Sequence, residues 1–193
     1  MSDMQNGIRQ VMEGHTLVPV VTFSSADEAP AFIEYLISQN VGCIEITLRT
    51  AAGIEAIELL KKEYDGRFLI GAGTVTNPIQ LERLVKANAD FIVSPGLTSD
   101  LQFEMEASKL PYLPGTSTPS EIMWAREQGL DTLKFFPANL FGGLDALKAY
   151  GQLFPDVQFC PTGGITKEAS NDYLSLSNVF AVGGSWFQKD FKK

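Results

Sequence analysis

Polar residues alternate with aliphatic ones in the stretch "GCIEITLR", residues 42–49. Because successive side chains of a strand point to opposite faces, Glu45, Thr47 and Arg49 are predicted to share one face. A carboxylate on such a face can act as a general acid or base. The stretch therefore predicts either a catalytic carboxylate or, as the alternative, an internal Glu45–Arg49 ion pair held by Thr47.

A lysine lies on a second predicted strand, "DTLKFFPAN", residues 131–139. With period two, Lys134 shares one face with Phe136, which places an amine beside an aromatic ring. Loss of hydration and a nearby cation both lower the pKa of a lysine ammonium group, and a neutral amine adds to carbonyl carbon to form a Schiff base. Lys134 is therefore a candidate Schiff-base nucleophile, and the alternative is a purely structural pairing with Glu45.

Paired glycines follow two predicted strands in the last third of the chain. Gly163 and Gly164 lie in "CPTGGIT", and Gly184 precedes Ser185 in "VGGSW". Backbone N–H groups that no side chain covers bind phosphate, and the last two strands of a barrel commonly hold such a site. One Gly-Gly pair is usually an ordinary turn, but two pairs on adjacent strands favour a phosphate site.

The elements that must position these residues recur along the chain. Short apolar runs rich in β-branched residues alternate with helix-like segments, which is the pattern of a parallel sheet. Eight runs predict an α/β fold, a (β/α)8 TIM barrel, formed by a single domain over residues 1–193. Active sites of such barrels lie at the carboxyl ends of the strands. The runs span residues 16–21, 43–47, 68–73, 91–95, 111–115, 132–137, 157–164 and 179–184.

Helix-start signals stand between the predicted strands. Ser25 and Thr118 can cap helices, Glu121 completes a capping box with Thr118, and "NP" at 77–78 is typical of a helix start. The first segment, 4–14, is expected to be an extra helix that covers the barrel floor. One apolar stripe is predicted on the helix after 77–78, from Ile79, Leu81, Leu84 and Val85.

Composition and charge exclude several classes of function. A formal charge of −8 would repel a nucleic-acid backbone or an anionic lipid surface, so neither partner is expected. The first residues lack the regions of a signal peptide, and no apolar run is long enough to span a bilayer, which predicts a cytoplasmic protein. Cys43 and Cys160 are expected to be reduced core residues, and His15 to be structural or exposed.

Seven motifs, in order over residues 17–187, resemble the class I 2-keto-3-deoxy-6-phosphogluconate (KDPG) aldolases, which often also cleave 4-hydroxy-2-oxoglutarate (KHG). The resemblance implies a lyase that converts KDPG to pyruvate and glyceraldehyde 3-phosphate, with KHG as a further substrate that gives pyruvate and glyoxylate. It also implies a homotrimer and no metal or other cofactor. The motifs are "EITLRT" (45–50), "GAGTV" (71–75), "SPG" (94–96), "PGTST" (114–118), "KFFPA" (134–138), "PTGGI" (161–165) and "GGSW" (183–186).

The resemblance also implies a role for each matching residue. Lys134 matches the imine-forming lysine of the family, and Glu45 matches its general acid/base. Arg49 and Thr74 match the residues that hold the pyruvate carboxylate. Pro95 and Phe136 match its apolar walls, and Thr162 matches the residue that senses aldehyde stereochemistry. The phosphate pocket of the family is matched by Gly163, Gly164, Gly184 and Ser185.

Two stretches depart from the family pattern. After "KFFPA" come Asn139, Leu140 and Phe141, so two large apolar groups are expected at the mouth of the site, on the side of the aldehyde half of the substrate. Only "FQKDFKK" follows "GGSW", which predicts a shortened C-terminal end.

Three alternative functions remain open at this point. A phosphosugar isomerase or epimerase could use the same barrel and glycine segments without an interior lysine. A 2-dehydro-3-deoxy-6-phosphogalactonate aldolase would share the chemistry but differ in stereochemistry. A non-catalytic barrel could bind a phosphorylated metabolite as a sensor.

Overall fold

Short strands alternate with helices throughout the computed structural model, which describes residues 3–191, so the ends of the predicted domain at 1–2 and 192–193 lie outside the described residues. Among the described helices, none combines the length and apolar character needed to cross a membrane. The strands are β1 Leu17–Val21, β2 Cys43–Thr47, β3 Leu69–Gly73, β4 Phe91–Val93, β5 Tyr112–Leu113, β6 Gly115–Thr116, β7 Thr132–Phe135, β8 Gln158–Pro161 and β9 Val182–Gly184. The helices are α1 Asp3–Val11, α2 Ala29–Ser38, α3 Ala52–Tyr64, α4 Pro78–Lys86, α5 Ser99–Ser108, α6 Pro119–Glu127, α7 Gly143–Leu153, α8 Ser170–Leu174 and α9 Trp186–Phe191, with 3-10 helices at Ala26–Glu28 and Ala138–Leu140.

Parallel pairing between these strands gives an α/β fold with a curled sheet. One sheet has six strands in the order β5-β4-β3-β2-β1-β9, and a second has three in the order β6-β7-β8. Strands β8 and β9 approach each other through two isolated bridges, Phe159–Val179 and Thr162–Gly183. The observed pairing therefore differs from the predicted single ring of eight strands, because the predicted fifth strand is divided into β5 and β6. Pro114 lies between these two halves and has no backbone N–H, which interrupts the hydrogen-bond ladder.

The two faces of the strands are buried in different clusters. Ile44, Ile46, Leu133 and Phe135 belong to the larger cluster, which also contains buried residues of the surrounding helices. All five residues of β2 are buried, including its polar face. This burial of both faces is the expected result of covering a parallel sheet with helices on one side and curling it on the other.

Helix α1 closes the amino-terminal end of the strands. Ile8 and Met12 are buried in the smaller cluster together with residues at or near the starts of several strands. The predicted extra N-terminal helix is therefore present in the described part of that segment and packs against the strands. The smaller cluster contains Ile8, Met12, Val18, Cys43, Phe91, Val93, Leu113, Cys160 and Ala181.

The predicted helix caps are present. Ser25 and Thr118 each form a capping box, and Asn77 Oδ1 accepts a hydrogen bond from the N–H of Gln80 at 3.0 Å. The predicted apolar stripe of α4 is wrong in part, since Leu81 and Leu84 are buried but Ile79 and Val85 are exposed. Two residues span about 200° of a helix, so Ile79 lies almost opposite Leu81.

Candidate active site

A cavity of about 730 Å³ opens where the carboxyl ends of the strands meet. Its walls come from the last residues of several strands and from the turns that follow them. A volume of this size suits a small-molecule ligand. Every residue predicted for the site lines this cavity: Glu45, Arg49, Thr74, Pro95, Lys134, Phe136, Thr162, Gly163, Gly164, Gly184 and Ser185. Their chemical roles remain predictions.

Glu45 and Lys134 meet inside the cavity. Lys134 Nζ donates hydrogen bonds to Glu45 Oε1 at 3.0 Å and to Oε2 at 3.3 Å. The two residues come from β2 and β7, and they are only 3% and 5% exposed. The ring of Phe136 lies beside the amine, with its centroid 5.2 Å from Nζ. An amine and a carboxylate therefore lie within proton-transfer distance and are shielded from bulk water.

Arg49 occupies a different position from the one predicted. Strand β2 ends at Thr47, so Arg49 lies in the turn before α3, where it is exposed but still lines the cavity. Among residues 3–191, the carboxylate of Glu45 pairs with Lys134, and no ion pair joins it to Arg49. Thr47 stays on the inward face, where its hydroxyl lies 2.7 Å from that of Thr22.

The end of β3 makes room for the Glu45 carboxylate. Gly73 pairs with Thr47 across the two strands, and a Cβ atom at Gly73 would collide with Oε1 of Glu45. The next residue, Thr74, has a φ of 61°, which is a left-handed conformation that a β-branched residue rarely adopts. Strain of this kind persists where the surrounding structure fixes it, and Thr74 lines the cavity.

Two glycine segments lie side by side at another part of the cavity. Gly163 and Gly164 have φ values of 102° and 70°, which residues with side chains rarely adopt. Gly184 ends β9, and Ser185 leads into α9. The Thr162–Gly183 bridge brings the two segments together. Backbone amides without neighbouring side chains are suited to binding phosphate.

Sequence reasoning missed several residues that line the cavity. The most informative are Thr22 and Gln188, which are joined by backbone-to-side-chain hydrogen bonds at 2.7 and 3.2 Å. No local motif marks a contact between residues so far apart in the chain. The inward position of Val20 and Thr22 could have been predicted, because every second residue after buried Val18 faces the same side of the strand. The residues missed are Val20, Thr22, Ile165, Thr166, Lys167, Glu168, Trp186, Gln188, Lys189 and Asp190.

Leu140 and Phe141 are not among the residues that line the cavity, so the expectation of two large apolar groups at its mouth stays a prediction. The 3-10 helix that begins at Ala138 leaves both side chains exposed to solvent. Asn139 is the residue of this stretch that approaches the site, since its side chain packs against Gly164. His15, as expected, lies before β1, is partly buried and is absent from the cavity lining.

Two cysteine thiols lie close to the buried ion pair. Cys160 is the register partner of Lys134, and Cys43 precedes Glu45 by two positions on β2. Both cysteines are free and buried, which confirms the prediction of reduced core residues. Burial raises the pKa of each thiol to about 12, so both stay protonated and unreactive at neutral pH.

Comparisons with known proteins point to one family. The family model described as KDPG and KHG aldolase matches residues 8–192. A 2-dehydro-3-deoxy-phosphogluconate aldolase of Dickeya dadantii is 40% identical over 186 residues, which cover 96% of this chain and 87% of the relative.

Solved structures agree with the sequence comparison. The KDPG aldolase of Legionella pneumophila, captured at low pH with pyruvate as a covalent carbinolamine, is 38% identical with a TM-score of 0.88, over 94% of this chain and 90% of that one. The 2-keto-3-deoxy-6-phosphogluconate aldolase of Zymomonas mobilis with 3-phosphoglycerate is 39% identical with a TM-score of 0.89, over 94% and 86% of the two chains. This chain therefore belongs to the KDPG and KHG aldolase family.

Proposed function

We propose that this protein is a Schiff-base aldolase that cleaves KDPG to pyruvate and glyceraldehyde 3-phosphate. The observation that carries the proposal is the buried contact between Lys134 and Glu45, with Nζ 3.0 Å from Oε1 inside the cavity. Membership of an aldolase family supports the same reaction. An isomerase or epimerase needs no amine that forms an imine with its substrate.

The reaction begins with addition of Lys134 to the keto carbon, C2. Transfer of a proton from Nζ to Glu45 leaves an uncharged amine and a carboxylic acid. The amine forms the C2–N bond, and a proton moves from nitrogen to the former keto oxygen to give a carbinolamine. Glu45 then protonates the carbinolamine hydroxyl, which leaves as water, and a positively charged imine remains on Lys134.

Cleavage follows from the electron demand of that imine. The Glu45 carboxylate takes the proton of the C4 hydroxyl, the C3–C4 bond breaks, and its electron pair moves into the imine to give an enamine and glyceraldehyde 3-phosphate. Glu45 returns the proton to C3 to form the methyl group, and water hydrolyses the imine to release pyruvate. The chemistry calls for no metal or other cofactor, because the imine itself accepts the electron pair.

The two ends of the substrate are assigned to different parts of the cavity. Arg49 and Thr74 hold the carboxylate, since a guanidinium group binds a carboxylate through two parallel hydrogen bonds. The phosphate lies at the two glycine segments, Pro95 and Phe136 form apolar walls, and Thr162 contacts the aldehyde half. The glycine segments comprise Gly163, Gly164, Gly184 and Ser185. KHG has no phosphate, so as a further substrate it would leave this part of the cavity unfilled.

A coupled assay of pyruvate release tests the proposal with three substrates: KDPG, its galactonate-derived isomer and KHG. We expect the wild-type protein to cleave KDPG fastest and Lys134→Met to cleave none of the three. Lys148→Met is the matched control, because Lys148 lies on α7 outside the cavity lining and forms an ion pair with exposed Asp145. Equal or faster cleavage of the galactonate isomer would contradict the substrate assignment, and cleavage by Lys134→Met would contradict the mechanism.

We further propose that the strands form a closed eight-stranded barrel in a single domain. Support comes from β5 and β6, which are consecutive halves of one strand on either side of Pro114. On the other side, closure is supported by the two isolated bridges, one from β8 to Val179 before β9 and one from Thr162 after β8 to β9. A cytoplasmic location suits the reaction, because phosphorylated sugar acids are charged and do not cross membranes unaided.

The protein is also proposed to be a homotrimer, as its resemblance to the family implies. Ile79 on α4 is 73% exposed, and Phe103 on the adjacent α5 is 69% exposed. Apolar side chains exposed on neighbouring helices favour an interface between subunits. Light scattering on the purified protein should give three times the chain mass, and Ile79→Glu should shift it toward the monomer. A wild-type monomer at micromolar concentration would contradict this assignment.

A further inference from the structure

We infer that Gln188 is a positioning residue that holds Gly184 and Ser185, the phosphate end of the cavity, in place. The inference rests on the proposed function, which assigns the substrate phosphate to that end. Gln188 Nε2 donates a hydrogen bond to the backbone oxygen of Thr22 at 2.7 Å, and the N–H of Thr22 donates to Gln188 Oε1 at 3.2 Å. A single side-chain amide thus satisfies both backbone groups of a residue 166 positions away.

The amide of Gln188 acts where strand pairing stops. Strand β1 pairs with β9 as far as Pro19 and Gly184, where β9 ends. Thr22 follows the last residue of β1, so β9 has no residue left to pair with it. Buried backbone N–H and C=O groups need hydrogen-bond partners, and Gln188 supplies both. Its side chain thereby extends the seam between the first and the last strand of the chain.

Helix α9 transmits this contact to the phosphate end. Gln188 lies in α9 within one helical turn of Ser185, and the N–H of Lys189 donates to the backbone oxygen of Ser185 at 3.4 Å. A shift of Gln188 therefore shifts the backbone and hydroxyl of Ser185 as well. Because hydrogen bonds to a phosphate depend on direction, a displacement of about 1 Å is enough to weaken them.

The imine end of the cavity depends much less on this contact. The hydroxyl of Thr22 lies 2.7 Å from that of Thr47, so the hydrogen-bond chain continues to β2. Glu45, however, is fixed independently by its two hydrogen bonds from Lys134. Loss of the Gln188 contact should consequently impair phosphate binding more than imine formation.

A second anchor keeps α9 docked when the amide is removed. The ring of Phe191 meets Phe32 edge-on with centroids 5.1 Å apart, and its centroid is 5.3 Å from that of Tyr35. Gln188→Met keeps the length of the side chain and removes only its hydrogen bonds. Phe191→Leu is the matched control, because it weakens the other anchor of the same helix at a residue outside the cavity lining.

Steady-state kinetics with KDPG and with KHG test the inference. For Gln188→Met we expect kcat/KM for KDPG to fall about tenfold, mainly through a higher KM, as fits the loss of one or two hydrogen bonds. The kinetic constants for KHG, which has no phosphate, should change less than about twofold. Phe191→Leu should lower Tm without this difference between substrates. Equal losses for both substrates, or an unchanged KM for KDPG, would overturn the inference.

Titration with inorganic phosphate separates the inference from the proposed function. Trp186 lines the same cavity, so its fluorescence can report binding in the absence of turnover. We expect Gln188→Met to bind phosphate about tenfold more weakly than the wild-type protein. If this difference appears in a protein that cleaves neither KDPG nor KHG, the proposed function fails and the inference stands. Equal affinities, or no binding to the wild-type protein, would refute the inference.

Discussion

Glu45 can face Lys134 only because Gly73, two residues beyond its register partner on β3, has no side chain. Its carboxylate occupies the space that a side chain at Gly73 would fill, and it accepts two hydrogen bonds from Lys134 in that position. The carboxylate proposed as the general acid/base is thus positioned by the missing side chain of Gly73 as much as by its hydrogen bonds from Lys134.

Gly73→Ala should therefore displace the Glu45 carboxylate and lower kcat about 100-fold, which is the effect of misplacing a catalytic group by about 1 Å. Overpacking should also cost about 1–3 kcal/mol of the free energy of unfolding. Gly96→Ala is the control, since a Cβ atom there meets no atom within 4 Å. Pyruvate-release kinetics and urea unfolding would measure both effects, and an unchanged kcat in Gly73→Ala would contradict the placement.

Period two could predict which single residues face inward, but it could not predict where each strand ends. Glu45 and Lys134 lie inside their strands, so the alternation of residue types was enough to predict that both side chains face inward. Arg49 lines the cavity as expected, but from the turn after β2, because the strand ends at Thr47 and the alternation stops with it. Gln188 gave no signal, because its partner Thr22 is distant in the chain.

Among the helices and strands, α1 and the strand starts form a packing unit separate from the active site. Ile8 is fully buried at the amino-terminal ends of the strands, whereas Glu45 and Lys134 line the cavity at the other ends. Stability and catalysis are therefore expected to respond to different substitutions, as is general where the site lies at the carboxyl ends of parallel strands.

Ile8→Ala should lower the free energy of unfolding by about 2–4 kcal/mol, since it removes buried methyl groups from a closed cluster. The kinetic constants of the folded variant should stay near those of the wild-type protein. Ile37→Ala removes the same atoms from an exposed position and should change the stability by less than about 0.5 kcal/mol. Chemical denaturation of both variants provides the measurement, and equal effects would show that α1 is not tightly packed.

Sequence patterns predicted the helices and strands well where local signals decide them. The caps at Ser25, Asn77 and Thr118 follow from side chains that bond the first turn of their own helices. The apolar run 111–115 predicted one strand, and its division at Pro114 depends on the missing N–H of that proline in the ladder. The exposure of Ile79 could not be predicted, because burial depends on the elements that surround a helix.

For the protein as a whole, the buried thiols Cys43 and Cys160 link stability to alkaline pH. Burial raises both pKa values to about 12 from an ordinary value of 9.0. Between these values the unfolded chain has released protons that the folded protein still holds. The contribution of the two protonated thiols to the free energy of unfolding is therefore complete below about pH 9 and is lost as pH rises toward 12.

We expect the free energy of unfolding to decline between pH 9 and 11 more steeply in the wild-type protein than in Cys43→Ala. One thiol that ionises only in the unfolded chain makes the two slopes differ by up to about 1.4 kcal/mol per pH unit. Denaturant titrations at several pH values would measure both slopes. Parallel slopes, or rapid reaction of the folded protein with a thiol reagent at pH 8, would show that the thiols are not buried as described.

The central claim is that Lys134 forms a covalent imine with a keto acid. Incubation of the wild-type protein with pyruvate and borohydride, followed by peptide mass spectrometry, tests it most directly, because reduction makes the imine permanent. We expect a reduced pyruvyl adduct on Lys134 and on no other lysine, and an unlabelled protein in Lys134→Met. An unmodified Lys134 after this treatment, or labelling spread over surface lysines, would contradict the claim.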